Sequence, residues 1–166
     1  ATGQSPFKSG KRADIMRNFN LKASRAIKPL FLSFGVRLGW LISNQGSYDS
    51  TRSKYVKDYY NYNDLSLSPA MGLVLENGMQ FNFGLDWRRV WYQDRLAQGE
   101  TGEYGNSEIK QTSWLTSLSA RYPVAKRFFV KAAYNYQISS SNMHYEESYR
   151  YNYRASTYLM GLEWEF

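Results

Sequence analysis

The sequence predicts an all-β fold whose antiparallel strands follow one another up and down, and three observations lead to it. Six separate runs after Lys28 alternate between apolar and polar or small side chains. The links between these runs are alternately short and long. No stretch approaches the roughly 18 consecutive apolar residues of a membrane helix, although 17% of the 166 residues are aromatic. A period of two indicates strands with one apolar and one polar face.

The first three runs lie between Leu30 and Arg88, and in each of them every second residue is wholly or largely apolar. The second and third runs are joined by Asn77-Gly78, a sequence that favours a type I′ hairpin turn. These runs therefore predict one strand followed, after a long link, by a hairpin. Their apolar positions are Leu30, Leu32, Phe34, Val36, Leu38, Trp40 and Ile42; Leu65, Leu67, Pro69, Met71, Leu73 and Leu75; and Met79, Phe81, Phe83, Leu85 and Trp87.

The last three runs extend from about Ser113 to Phe166. The fourth and fifth are separated only by the stretch from Tyr122 to Arg127, where Pro123 disfavours a central strand and a short turn is expected. The sixth run ends the sequence. The apolar parities are Trp114, Leu118, Ala120 and Tyr122; Phe128, Val130, Ala132, Tyr134, Tyr136 and Ile138; and Tyr158, Met160, Leu162, Trp164 and Phe166.

The remaining links are long, polar and rich in tyrosine, at about residues 43–64, 93–108 and 139–150. A strict alternation of short turns and long loops is typical of outer-membrane β-barrels. Apolar stripes of about 9–11 residues match the length of a tilted membrane-spanning strand. We therefore expect a transmembrane antiparallel up-and-down β-barrel, which must close because unpaired backbone groups in hydrocarbon cost several kcal/mol each.

Two sets of side chains take roles in such a barrel. The more polar side of the alternating runs carries charges that would be unfavourable in a soluble core but suit a barrel interior. These charges predict a network of ion pairs that fills the lumen. The alternative is an ion-selective constriction whose charges line water. Aromatic residues near the stripe ends predict interfacial girdles. The lumen set is Arg37, Glu76, Asp86, Arg88, Arg121, Lys131 and Glu163. The girdle set is Trp40, Trp87, Tyr122, Tyr136, Tyr158 and Trp164.

The charge distribution divides the chain into a basic leader, residues 1–28, and a barrel, residues 29–166. The leader holds seven basic side chains against Asp14 alone, whereas the rest holds 14 basic and 13 acidic side chains. The leader could contact anionic lipid, nucleic acid or an acidic partner, or be a solvated extension. We expect it on the periplasmic side. Since the basic excess lies outside the sheet, nucleic-acid binding is not expected.

The final residues, from Tyr158 to Phe166, resemble the terminal strand of bacterial outer-membrane β-barrel proteins. They share alternating apolar residues, an aromatic two positions before the end and a C-terminal Phe. The resemblance implies an outer-membrane location in a Gram-negative-type bacterium and recognition of Trp164 and Phe166 by the barrel-assembly machinery. It also implies contact with membrane lipid and lipopolysaccharide, for which basic residues near the outer rim are candidates: Arg89, Arg95, Lys54, Lys57, Arg150 and Arg154.

The strand count departs from that class. Its smallest single-chain barrels have eight strands, and six are legible here. Residues 13–22 could add an irregular strand, and structure could be hidden between Tyr55 and Tyr62. Eight strands in total are favoured over a fragment of a larger barrel or strands supplied by another chain.

Catalysis and cofactors have little support in the sequence. With no Cys and a single His, disulfides, thiolate zinc sites and multi-histidine metal sites are excluded, and no cofactor or metal is expected. His144, Glu146 and Ser148 group a base, a carboxylate and a hydroxyl, which resembles the residue types of outer-membrane lipid A deacylases without their His-x-Ser spacing. A solvated loop is the alternative there.

The sequence thus predicts a non-enzymatic, porin-like membrane protein with a structural or interaction role and an occluded lumen. A wall segment of a wider transport or export channel is the alternative, completed or capped by a protein partner. A lipid A-modifying enzyme built around His144 is a third possibility.

Overall fold

The computed structural model describes residues 13–49, 52–146 and 149–166. Within these ranges the fold is all-β, as predicted, and consists of one large antiparallel sheet and one small hairpin. The strands are β1 (Asp14–Ile27), β2 (Leu30–Ser43), β3 (Ser47–Asp49), β4 (Lys54–Val56), β5 (Tyr62–Val74), β6 (Gln80–Gln98), β7 (Tyr104–Ala125), β8 (Phe128–Ser141) and β9 (Tyr153–Trp164).

The large sheet has the order β1-β2-β5-β6-β7-β8-β9, so its strands follow one another up and down. All six alternating runs form strands of this sheet. Among the described residues, β1 hydrogen-bonds only to β2 and β9 only to β8. The sheet is therefore open, with seven strands rather than six or eight, and a closed barrel is not observed.

The seventh strand comes from the segment expected to be part of a leader. Asp14–Ile27 pairs with β2 along its whole length, from Asp14 opposite Ser43 to Ile27 opposite Leu30. The sheet thus begins at Asp14 rather than at residue 29. The irregular strand considered over residues 13–22 is therefore confirmed and is longer than expected, because the alternation continues through Arg25 to Ile27. Residues 1–12 lie outside the described part.

The turn at Asn77-Gly78 differs from the predicted two-residue type. Only Gly78 has a positive φ, of 82°. The Gly78 N–H donates to the Leu75 carbonyl, and the Leu75 N–H donates to the Met79 carbonyl, both at 2.9 Å. This is a three-residue loop in which the left-handed position falls on glycine. As a result, Glu76 lies in the turn and is exposed.

At the next short turn, β7 continues past Pro123 to Ala125. Its pairing with β8 is irregular between these two residues, which accommodates proline's lack of a backbone N–H. The chain reverses at Lys126 and Arg127. The link expected over 93–108 is also mostly strand, because β6 and β7 extend to Gln98 and Tyr104 and leave only residues 99–103 as a loop.

Candidate functional site: the two faces of the sheet

The strand registers place the six long apolar stripes on one face of the sheet, as the alternation predicts. Phe83 lies opposite Met71 and Leu118, and Leu118 lies opposite Tyr134, which lies opposite Tyr158. Directly opposed residues of an antiparallel pair point to the same face. We call this surface the apolar face and its opposite the polar face.

The apolar face is exposed. Met160 is 84% accessible and Leu162 72%. Further large hydrophobic side chains of this face that are exposed include Ile15, Phe19, Leu21, Phe34, Trp40, Met71, Phe81, Phe83, Trp114, Leu118, Tyr158 and Trp164.

The girdle candidates all lie on this apolar face, although Tyr136 and Tyr158 are near the middle of their strands. Trp87 packs against Trp114 with ring centroids 6.2 Å apart, and Tyr134 stacks on Tyr158 at 4.8 Å. Trp164 packs edge-on against Phe128. Trp164 and Phe166 are exposed, and their role in assembly remains a prediction.

The polar face is organised around the carboxylate of Asp64, whose side chain has no accessible surface. Its Oδ2 accepts a hydrogen bond from the Arg88 guanidinium at 2.7 Å, and its Oδ1 lies 3.3 Å from the guanidinium of Arg37. Arg37 also donates to Ser66 at 3.1 Å. Two cations from β2 and β6 therefore share one buried anion from the strand between them, which compensates the cost of burying its charge.

Glycine at position 39 makes space for this carboxylate. A Cβ at Gly39 would lie 2.9 Å from both oxygens of Asp64 and 3.0 Å from the Asn18 side-chain oxygen. Asp64 was missed in the sequence analysis because it ends a polar link and the apolar stripe of its strand begins only at Leu65.

A second charge cluster occupies the polar face near the short turns. Arg121 Nε donates to Glu163 at 3.0 Å, and the Lys131 ammonium lies 2.6 Å from the same oxygen. Arg121 also pairs with Glu165 and stacks on the Phe129 ring. Of the other predicted lumen residues, Asp86 accepts a hydrogen bond from Ser68, whereas Glu76 lies off this face in its turn.

The polar face between the two clusters carries many small side chains. Beside Arg37 and Arg88 it forms an open cavity of about 610 Å³. Side chains of β1, β2, β5, β6, β7 and β8 line this one cavity, so the sheet curls with its polar face inward. Its lining includes Lys22, Ser33, Gly35, Arg37, Ser66, Ser68, Ala70, Asp86, Arg88, Ser113 and Gln137.

The long connections fold over the end of the sheet near Ser43 and Tyr153. Their small core consists of Ala97, Ile109, Met143 and Tyr151, which the extended β6–β7 hairpin shares with the segment 142–152. Arg95 lies over the rings of Tyr59, Tyr92 and Tyr151, 4.6–5.5 Å from their centroids, and donates to the Tyr151 hydroxyl.

The β3–β4 hairpin is attached to β7 through Asp49, Arg52 and Tyr104. Arg52 Nε donates to Asp49 at 2.6 Å and its guanidinium lies 4.2 Å from the Tyr104 ring centroid. Burial and a hydrogen bond to Asp49 raise the pKa of Tyr104 to about 12. Burial opposes ionisation of Asp49, but hydrogen bonds from Tyr104 and Arg52 leave its pKa below the ordinary value.

Of the residues considered for catalysis, Glu146 has a structural role in its loop. Glu146 Oε1 accepts hydrogen bonds from the Tyr151 N–H, the Asn152 N–H and the Asn152 side chain at 2.7–2.9 Å. These bonds, led by the one from the Asn152 backbone, lower the pKa of Glu146. This carboxylate therefore fixes the loop. The His144 N–H donates to the Gln98 carbonyl, and Ser148 lies outside the described residues.

The basic residues assigned to an outer rim separate into two groups. Arg89 and Arg154 lie on the apolar face, at the border of its stripes. Arg95 is enclosed by tyrosines, whereas Lys54 is in β4 and Lys57 and Arg150 are in the long connections.

No family model matches the chain, and it has no match among curated proteins or solved structures. In the part of the chain that the structure describes, no three His, Asp or Glu side chains are grouped to hold a metal ion. The same part has no helix of the length and apolar character that crossing a membrane requires.

Proposed function

We propose that this chain forms seven neighbouring strands in the wall of a transmembrane β-barrel of a Gram-negative-type outer membrane, with the polar face toward the lumen and a structural or interaction role. The observation that carries the proposal is the inversion of the two faces. Large apolar side chains such as Met160 are exposed, whereas the carboxylate of Asp64 is fully buried.

In water this arrangement is unfavourable. Leaving one large apolar side chain exposed rather than buried costs about 1.5–3 kcal/mol, so the apolar face as a whole would outweigh the roughly 5–15 kcal/mol by which a domain is stable. Against lipid the same surface has no such cost. The curl of the sheet supports a barrel, because β1, β2, β5, β6, β7 and β8 all line one polar cavity.

The strand directions restrict how such a barrel closes. β1 and β9 both run from the end with long connections to the end with short turns, so they would be parallel if they met. Antiparallel closure therefore needs an odd number of additional strands, and a single one gives the eight of the smallest barrels.

A second copy does not meet this requirement. Its β9 would pair with β1 in parallel, and its β1 would pair antiparallel only if that copy were inverted in the membrane. We infer that the closing strand or strands come from another segment of the same polypeptide or from a different chain. Until they pair, the edges of β1 and β9 leave backbone groups unsatisfied in hydrocarbon.

The test uses the tryptophans, since Trp40, Trp87, Trp91, Trp114 and Trp164 all lie on the apolar face. In lipid vesicles, a variant that retains only Trp114 should be strongly quenched by lipids brominated on their acyl chains. The matched control moves the tryptophan one residue along β7, by Leu115→Trp in a tryptophan-free background, which places it on the polar face.

Strong quenching of Trp114 with weak quenching at position 115 supports the proposal. Equal quenching at both positions, or a chain that is monomeric and folded in detergent-free buffer with Trp114 shielded from lipid, refutes it.

The wider channel is a second candidate, and the small side chains lining the polar face favour it. In an eight-strand barrel the interior is normally filled by side chains, but Gly35, Ala70 and Ser68 leave the 610 Å³ cavity open. Stable ion-conducting steps from the purified protein in a planar bilayer would support the channel and refute an occluded lumen. The lipid A-modifying alternative predicts loss of an acyl chain from lipopolysaccharide that His144→Ala abolishes.

A further inference from the structure

Two cations stand close together on the apolar face, at the border toward the long connections. Arg89 of β6 lies opposite Thr112 of β7, and Trp91 lies opposite Lys110. Arg89 and Lys110 are therefore diagonal neighbours on the same face, with their backbones about 7–8 Å apart. The Arg89 guanidinium lies 5.5 Å from the ring centroid of Trp91.

These cations lack the counter-charges that cations on the polar face have. No carboxylate of the described residues lies within 4.0 Å of the charged atoms of Arg89 or Lys110. Glu108 precedes Lys110 by two residues on the same strand and forms no ion pair with it. Arg89 is partly accessible and Lys110 is exposed, so an anionic group outside the sheet can approach both residues.

An extended apolar surface begins directly beside the two cations. Trp87 and Trp114 pack together two residues from Arg89 and four residues from Lys110 along their strands. Phe83 and Leu118 continue the surface toward the short turns. A ligand that contacts both the two cations and the apolar surface carries an anionic group at one end and acyl chains at the other.

We propose that Arg89 and Lys110 bind the phosphate of a membrane lipid in the leaflet on the side of the long connections, while its acyl chains pack on Trp87 and Trp114. A phosphate offers several oxygens for charge-assisted hydrogen bonds from both cations. Arg17 and Arg154 lie on the same face and add to the positive potential. This inference rests on the proposed membrane-spanning function.

The test compares two quenching lipids on the variant that retains only Trp114. Brominated phosphatidic acid and brominated phosphatidylcholine are each titrated into vesicles of unbrominated phosphatidylcholine, and the ratio of quenching gives the relative affinity. We expect phosphatidic acid to be preferred about 25-fold. Each cation contributes about five-fold to this preference, so Arg89→Gln together with Lys110→Gln should bring the ratio close to one.

The matched control removes two charges from exposed positions of the short turn at the other end of the sheet by Lys126→Gln and Arg127→Gln. It should retain the preference. Equal loss in both double variants, or no preference in the parent, overturns the proposed site. Arg89→Lys keeps the charge and the fold and should retain most of the preference if Lys110 is intact. Quenching by brominated phosphatidylcholine reports membrane insertion separately, so failure of the phosphate site is distinguishable from failure of the barrel proposal.

Discussion

Replacing Gly39 by alanine should destabilise the protein by disturbing the buried carboxylate of Asp64. The added methyl group would lie 2.9 Å from both carboxylate oxygens, closer than real Cβ contacts allow. Asp64 cannot yield easily, because its side chain has no accessible surface and is held by Arg37 and Arg88. The clash must therefore lengthen the ion pairs or displace the strand that carries Gly39.

The magnitude follows from two opposing effects. Overpacking a filled site costs about 1–3 kcal/mol, and removal of a glycine stabilises by about 0.4–1 kcal/mol through the unfolded chain. Gly39 has no positive φ, so alanine adds no backbone strain there. We expect a net loss of about 1–2 kcal/mol in the free energy of unfolding.

Urea unfolding of the protein in lipid vesicles, followed by tryptophan fluorescence, measures this loss. Gly35 is the matched control because it lies on the same strand and face, and a Cβ there would sit 3.7 Å from the Ser68 Cβ, an ordinary contact. Gly35→Ala should be neutral or slightly stabilising. In an Asp64→Ala background the cost of Gly39→Ala should disappear. If Gly39→Ala costs nothing, or costs the same without the carboxylate, the account of this site is wrong.

Three further predictions concern the long connections. Tyr104→Phe removes the hydrogen bond to Asp49 and should increase amide hydrogen exchange in the β3–β4 hairpin. The pKa of Tyr104 in the folded protein is raised to about 12. Its contribution to stability is therefore present below about pH 10 and is lost as the pH rises toward 12. The pKa of Asp49 is lowered in the folded protein, so its contribution to stability is lost as the pH falls through that pKa. A difference from wild type that is independent of pH would contradict this. Arg95→Gln removes the cation enclosed by three tyrosine rings and should cost about 1–2 kcal/mol, measured by urea unfolding with Arg95→Lys as the partial rescue. Glu146→Gln should accelerate exchange at the Tyr151 and Asn152 amides, and unchanged exchange there would show that the carboxylate does not hold this loop.

The sequence was sufficient to predict the strands whose outer face is apolar, because alternation is the direct signature of a sheet with two different sides. It failed where charge interrupts the pattern. In β1, Arg17 and Arg25 lie on the apolar face and Lys22 on the polar face, so residues 13–22 were expected only as an optional irregular strand within a basic leader. In β6 and β7 the strands continue beyond the apolar stripe, where Ala97 and Ile109 pack with Met143 and Tyr151 and the regular alternation no longer indicates a strand.

The ion pairs around Asp64 could not be predicted from the sequence. Ion pairs join residues far apart in sequence, and which carboxylate meets Arg37 depends on register and on the end of a strand. Asp64 became the shared partner only because Gly39, on the neighbouring strand, leaves space for it. Glu76 was assigned to the polar parity by counting, but the three-residue loop removes it from the sheet.

In the barrel that we propose, the two charge clusters do not fill the lumen. Each spans three consecutive strands: Asp64 of β5 with the arginines of β2 and β6, and Glu163 of β9 with Lys131 of β8 and Arg121 of β7. Such pairs stabilise the wall locally and do not depend on an opposite wall. Because small side chains separate the clusters, this arc does not fill a lumen by itself. Under this proposal, the additional strands either carry large side chains that occupy the cavity or leave it filled with water, and the conductance measurement distinguishes these two states.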